Sequence, residues 1–343
     1  MHVPDGFLDA STSLATGAVA VTAVGVALRK ARDELDERTA PLAGLTAAFV
    51  FAVQMLNFPV GVGTSGHLMG GALAAALVGP WTAVLCVSVV LIVQALLFAD
   101  GGLTALGTNI TLMAVVTVAV GWFFTAAVLA VVARRPASVV PASAVGALLS
   151  VPAAALAFVV LFAIGGEANL SIGALTVGML GWHLLIGFGE AVITALTVSA
   201  VVAVRPDLVH AARGLRPALR LKDADGALVD APAGRETVQP RHGTRNLLVG
   251  GGIVALCLAG VVSFVANGNP DVLEYVAGEQ GFLVTARDHL FDDQALADYG
   301  EVGGIPVGVA GVLGVVLTVG LGWLVFRAVS RRSDRSGAGV QSH

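Results

Sequence analysis

Charge is what this 343-residue chain has least of: Asp, Glu, Lys and Arg make up 12% of it, against 56% hydrophobic residues. Soluble domains carry about a quarter charged residues, so a water-soluble enzyme, a nucleic-acid binder and a disordered tail are all excluded by composition. Lysine occurs only at 30 and 222, after Arg29 and Leu221. No glycine precedes a lysine, so no phosphate-cradling GxxxxGK[ST] loop is present. Cysteine occurs only at 86 and 257, each inside an apolar run, which excludes a CxxC metal site and a loop-based disulfide framework. What remains is rich in glycine, with 43 residues, and has a mean hydropathy of +0.87. The expectation is an all-α, polytopic membrane helical bundle.

A bilayer core about 30 Å thick needs roughly 20 apolar residues in a helix. Nine candidate runs emerge: 11–28, 41–56, 67–79, 80–98, 109–133, 139–164, 181–204, 247–266 and 303–326. The third is short, and Pro80 suits the first turn of a new helix, where its missing N–H costs nothing. Between alternate runs lie Arg29, Lys30, Arg32 and Arg38, then Arg134 and Arg135, the seven arginines and Lys222 of 205–245, and Arg327 onward. This places 18 of the 19 basic residues on one side, with only Arg287 opposite. The positive-inside rule makes that side cytoplasmic, so the N-terminus is expected outside and the C-terminus inside. Met1–Ala10 lacks the basic region of a signal peptide and reads as a short outward segment, with Ser11 or Thr12 as N-cap of the first helix. The expected organisation is a seven-span unit over 1–205, a cytoplasmic linker at 206–246, a two-span unit over 247–330 and a cytoplasmic tail at 331–343. An outward loop at 267–302 holds eight acidic residues and one basic.

That topology gathers Met1–Ala10, Asn57–Gly66 with His67, Asp100–Asn109 and Gly165–Ser171 on the outer face. GVGTSGH (61–67) and ADGGLTALGTN (99–109) are too irregular to face lipid; such backbone belongs where protein buries it or a cavity needs lining. His2 lies one bond from the chain's amine. The Met1 amine and the His2 imidazole can chelate one ion, joined by the intervening amide nitrogen once it loses its proton. His67 would add a third arm, making an all-nitrogen, near-planar site suited to Ni(II) or Cu(II) rather than tetrahedral zinc. Binding would release protons and weaken as pH falls. The competing reading makes His2 an accident of an exposed terminus and His67 a helix-start cap. Pro4, Asp5 and Gly6 form a turn signal that folds the terminus back.

Glu190 is the only acidic residue deep within a span, a functional candidate on that ground or a structural hydrogen-bonding group. Asn57, Ser65, Asp100 and Asn109 are supporting polar or gating candidates. Gln54 and Gln94 fit interhelical hydrogen bonding, and His183 reads as an interfacial residue at the outer end of its span. Gly63-Thr64-Ser65-Gly66 also spells GxSG, the nucleophile motif of rhomboid intramembrane proteases, with His183 as a conceivable base.

Three long motifs carry a resemblance: MHVPDGFLD (1–9), FAVQMLNFPVGVGTSGHLMGGALAA (51–75) and QALLFADGGLTALGTN (94–109), continued by GFGEAVITAL (187–196). Over about residues 1–205 the chain resembles the CbiM/NikM family, the substrate-binding S components of energy-coupling factor (ECF) cobalt and nickel transporters. The resemblance implies Ni2+ or Co2+ as transported substrate, with no organic cofactor. It assigns the metal to the Met1 amine, the His2 amide and imidazole, and His67. The implied partners are a transmembrane T component and ATP-binding A subunits in the lipid membrane, with no nucleic acid and no catalytic residue of the chain's own. Residues 247–330 resemble the two-span NikN-type unit, whose PDGLE motif appears as Pro270-Asp271-Val272-Leu273-Glu274. A gradient-driven metal transporter working through Glu190 is the alternative.

Overall fold

The computed structural model describes residues 1–35, 39–133, 135–213, 215, 220–222, 228–230 and 241–338. Arg38, Arg134, Arg216 and Arg235 of the charge count, parts of the 206–246 linker and the end of the tail lie outside the described residues. Among the described residues, seven helical segments are long and apolar enough to cross a membrane: Ala10–Asp33, Pro80–Phe98, Leu106–Val131, Pro136–Gly165, Ile172–Val204, Gly243–Val265 and Val307–Val329. Large apolar side chains on them face outward, among them Leu14, Val21, Val131, Val177 and Leu196 at 68–83% exposure. Apolar contact with lipid, not water, accounts for such a surface.

Two of the nine expected spans are too short. Helix α2 (Ala40–Gln54) has 15 residues and α3 (Gly71–Val78) has eight. At 1.5 Å per residue the second rises only about 12 Å, and all eight of its residues are buried. Its apolar run reflects burial inside the bundle rather than contact with lipid. Gly79, at φ +97°, separates α3 from α4 (Pro80–Val93), with Pro80 at the first turn as its chemistry favours. Helix α1 (Ala10–Lys30) is capped by neither Ser11 nor Thr12 but by Asp9, whose carboxylate accepts from Thr12 N–H at 2.7 Å. The expected start at 181 also moves: α8 runs Ile172–Val204 with Ser171 as its cap.

Two irregularities in the helices mark the region that matters below. After α4 the chain makes a π turn over Gln94–Phe98, and α5 (Leu106–Asn109) passes through a second one, Ile110–Val116, into α6 (Thr117–Val131). Such wide turns shift side chains off the ordinary helical register and concentrate at functional sites. The glycine-rich stretch before His67 is also less irregular than expected. Residues Phe58–Gly61 (β1) and Thr64–Gly66 (β2) pair antiparallel, turning at Gly63 with φ +78°. A second two-stranded ladder, Arg220–Lys222 (β3) with Leu228–Asp230 (β4), lies in the linker.

Helix α7 (Val139–Gly165) packs along α6 and α8. The C-terminal unit contributes α9 (Arg241–Gly260), the short α10 (Val272–Glu279) and α11 (Val307–Ala338). Both long helices of this unit lie against α2. Gly314 faces Phe51 so closely that a Cβ would stand 2.0 Å from the ring, the small-residue contact that lets membrane helices approach. The acidic loop is folded: α10 packs against α8 and β2.

Candidate metal centre

The first nine residues run into the protein instead of out from it. Asn109 clasps the backbone of Val3, its Oδ1 accepting from Val3 N–H at 2.7 Å and its Nδ2 donating to Val3 C=O at 3.1 Å. Gly102 N–H also donates to Val3 C=O, at 2.9 Å. The Asp5 carboxylate accepts from Leu103 N–H, Thr104 N–H and the Thr104 hydroxyl at 3.1, 2.7 and 2.5 Å. Phe7 is fully buried against Phe282. Gly101 and Gly102 are what make room. A Cβ at Gly101, whose φ is +86°, would stand 2.8 Å from Asn109 Nδ2, and one at Gly102 would stand 2.3 Å from Asp5 N. Only hydrogen side chains let the terminus lie this close.

This threading brings Met1, His2 and His67 together. The Met1 amine contacts His67 Nε2 directly, and the His2 and His67 rings stack with centroids 4.8 Å apart and planes 22° from parallel. His67 Nδ1 donates to Leu68 C=O at 3.0 Å, which leaves the lone pair on Nε2, facing the amine. His2 has an acceptor beside each ring nitrogen, Gln94 Oε1 3.2 Å from Nε2 and Asp100 Oδ1 3.1 Å from Nδ1, and its one ring proton serves one of them. The Gln94 amide orientation is itself set, because its Nε2 donates to Tyr299 Oη at 3.1 Å while Tyr299 O–H donates to Asp100 Oδ2 at 2.6 Å.

Burial, reinforced by the adjacent N-terminal ammonium, pushes the His2 imidazole down to about 3 and lowers that of His67. Both rings therefore stand neutral, with a free lone pair each. Burial raises the Asp100 carboxyl. It opposes ionisation of Asp271 as well, but there the ammonium and His67 prevail and hold the carboxyl well below its usual range.

Asp271 was invisible as a site residue in the sequence. It belongs to the PDGLE-like segment, yet its Oδ2 lies 3.0 Å from the Met1 amine and 3.8 Å from His67 Nε2. Oδ1 of the same carboxylate caps α10 by accepting from Glu274 N–H at 2.9 Å. Val272, where the motif has glycine, begins α10 in ordinary helical backbone and is buried. The one signal available beforehand was the motif itself. Its partner residues, His67 and Met1, are 204 and 270 positions away in the chain.

The other candidates act around this centre. Ser65 donates its hydroxyl to Asn269 C=O at 2.7 Å, and its N–H to Pro270 C=O at 2.9 Å, tying the hairpin to the C-terminal unit. Asn57 accepts from Asn267 N–H through its main-chain carbonyl, at 2.8 Å. Glu190 accepts from Met69 N–H at 2.7 Å and Gly70 N–H at 3.1 Å, anchoring the turn that follows His67. His183 is no interfacial residue: with α8 starting at 172 it lies inside the helix, fully buried, its Nδ1 donating to Met179 C=O at 2.8 Å. Its Nε2 has no partner among the described residues, and the Ser65 hydroxyl donates to Asn269 C=O instead, so the Ser65–His183 dyad of a serine protease is not formed. Among the described residues no three His, Cys, Asp or Glu side chains cluster as a conventional metal cage. A centre here depends on main-chain nitrogen. Above it opens a cavity of about 1020 Å3, lined by His2, His67, Asp100, Asp271, Glu274 and Tyr299 among others.

Fold and site together define a multi-pass helical membrane protein whose buried N-terminus meets His67 and Asp271 beside an acidic cavity. Residues 2–208 match the family model described as CbiM, cobalt uptake substrate-specific transmembrane region, and residues 245–331 match the PDGLE domain. The chain belongs to the CbiM family, joined here to a PDGLE unit. It is 38% identical over 212 residues to the putative fused nickel transport protein NikMN of Archaeoglobus fulgidus, covering 61% of this chain and 68% of that one. Against the fused nickel transport protein NikMN of Rhodobacter capsulatus it is 33% identical over 273 residues, covering 80% of this chain and 64% of the other. The crystal structure of a truncated transition metal transporter superposes with a TM-score of 0.53 at 31% identity, over 59% of this chain and 99% of that one.

Proposed function

We propose that the chain is the substrate-specific membrane component of an importer for Ni2+ or Co2+, and that it captures the ion with nitrogens of Met1, His2 and His67. The observation carrying this reading is the contact between the Met1 amine and the bare Nε2 of His67, beside the His2 imidazole stacked on the His67 ring. His2 Nδ1 is the ring atom able to close a six-membered chelate ring with the His2 amide, while the amine closes a five-membered ring with the same amide. Each arriving ion displaces a proton from the amine, and a second when the amide joins. Asn109, Asp5 and Glu190 hold the ligand-bearing segments in place before the ion arrives, so little ordering is left for binding to oppose. The charge pattern of the sequence supports a site on the extracytoplasmic side.

Import needs an energy source. The CbiM-type unit is paired in this reading with an ECF T component and ATP-binding A subunits, which favour an inward state of lower metal affinity. Ligand and ATPase can shift that balance only through differential stabilisation of the two states. Because both Glu190 oxygens are engaged by backbone amides, no observation favours Glu190 as the coupling group of a gradient-driven transporter. The test is calorimetric titration of Ni2+ and Co2+ into purified full chain, His2→Ala and His67→Ala. Wild-type protein is expected to bind and both variants to lose binding while keeping their helical content. Unchanged affinity in either variant refutes the ligand assignment.

A further inference from the structure

The metal-capture reading places every ligand in the CbiM-type unit, yet the carboxylate 3.0 Å from the Met1 amine comes from the other unit. We propose that Asp271 supplies a fifth, carboxylate donor to the captured ion, so that the PDGLE unit contributes a ligand to the coordination shell. This rests on the capture reading and extends it.

The argument is geometric. Donors 90° apart around a first-row ion, with bonds of about 2.0–2.1 Å, are separated by about 2.9 Å. Asp271 Oδ2 already lies 3.0 Å from the Met1 nitrogen. Its 3.8 Å to His67 Nε2 corresponds to a wider angle at the same ion, which enters as the amine and Nε2 part. Nor is the carboxylate a loose surface group. Oδ1 is fixed as the cap of α10, Pro270 C=O accepts from Ser65 N–H, and Asn269 C=O accepts from the Ser65 hydroxyl. Two bonds thus fasten the chain beside Asp271 to the strand leading into His67. Asp271 is only 18% exposed, so little water competes for Oδ2.

Four nitrogens plus one carboxylate oxygen make a five-coordinate ion. A planar four-nitrogen Ni(II) centre is spin-paired, and a strong axial oxygen makes it paramagnetic, so the two arrangements differ in kind.

The experiment loads the full chain with nickel and compares wild type with Asp271→Asn and Asp271→Ala by X-ray absorption and by magnetic susceptibility. The expected wild-type result is a paramagnetic ion with five light donors. Asp271→Asn keeps the α10 cap, since its Oδ1 can still accept from Glu274 N–H. Asp271→Ala is expected to shift to the planar, diamagnetic form, with affinity about tenfold weaker but retained; Asp271→Asn is expected to follow it or lie between. A planar diamagnetic wild type overturns the proposal while leaving the four-nitrogen reading intact. Five donors that persist in Asp271→Ala overturn it equally. A wild type that takes up no nickel brings down the capture reading itself. The wild-type spectrum decides the donor count even if a variant fails to fold.

Discussion

Gly102→Ala offers a way to damage the metal centre without touching a ligand. The backbone at 102 is not among the left-handed glycines, so alanine meets no conformational penalty there, and the effect is one of space alone. The added Cβ would stand 2.3 Å from Asp5 N and 2.4 Å from Asp5 Oδ1. Comfortable contact is about 3.5 Å, so the N-terminal segment must retreat by roughly 1 Å. Metal–ligand distances tolerate only about 0.2 Å. The same retreat strains the Gly102–Val3 hydrogen bond and the three bonds to the Asp5 carboxylate. A neutral hydrogen bond contributes about 1 kcal/mol and one to a charged group about 1.5–3 kcal/mol. Losing one of each costs about 3 kcal/mol, or roughly two decades of affinity. The assay is calorimetric titration with Ni2+, paired with Gly181→Ala, where a Cβ has nothing within 4 Å. Gly102→Ala is expected to bind at least tenfold more weakly while Gly181→Ala matches wild type. A Gly102→Ala affinity within twofold of wild type would refute the idea that the docked N-terminus builds the site.

Extending the chain by two residues ahead of Met1 should abolish nickel binding as thoroughly as His2→Ala, because it converts the amine to an amide; titration of the extended protein checks this, and retained binding would contradict it. Nickel binding should weaken as pH falls, by up to tenfold per pH unit for each proton displaced. With His2 lowered to about 3 and His67 also lowered, both chiefly by burial, the imidazoles are already deprotonated near neutral pH. The displaced protons therefore come from the amine and amide. Calorimetry in buffers of different ionisation enthalpy counts them, and zero protons released would contradict the ligand set. Glu190→Ala removes the acceptor of Met69 and Gly70 N–H, leaving two buried donors at about 1–3 kcal/mol each. Thermal unfolding in detergent should show a lower midpoint, together with weaker nickel binding because the turn after His67 is no longer pinned. An unchanged midpoint would remove Glu190 from that role.

Hydropathy made most of the bundle legible, since seven apolar runs do become long helices with lipid-facing side chains. It misjudged α2 and α3 because a helix buried on all sides by protein is as apolar as one bathed in lipid. Length tells them apart, and Gly70 and Gly79, at the two ends of α3, set that length. The N-terminal tuck was readable from Met1 through Gly6 together with the glycine-rich 99–109 stretch, because small residues beside polar ones signal close backbone approach. His183 was misplaced because the α8 start was set nine residues late, which put a core position at the helix end. Asp271 and Tyr299 escaped because their role arises from tertiary contact between units: no periodicity or local motif relates Asp271 to Met1, or Tyr299 to Gln94. The π turns at 94–98 and 110–116 were equally hidden, yet they flank the positions where Gln94 and Asn109 meet the N-terminal residues.

Locating nickel by anomalous scattering in crystals of the loaded full chain would decide whether the amino terminus forms the metal centre. The ion should lie about 2.0–2.1 Å from the Met1 nitrogen, the His2 amide nitrogen, His2 Nδ1 and His67 Nε2. Nickel elsewhere in the molecule, or a terminus extended into solvent with the ion still bound, would contradict it.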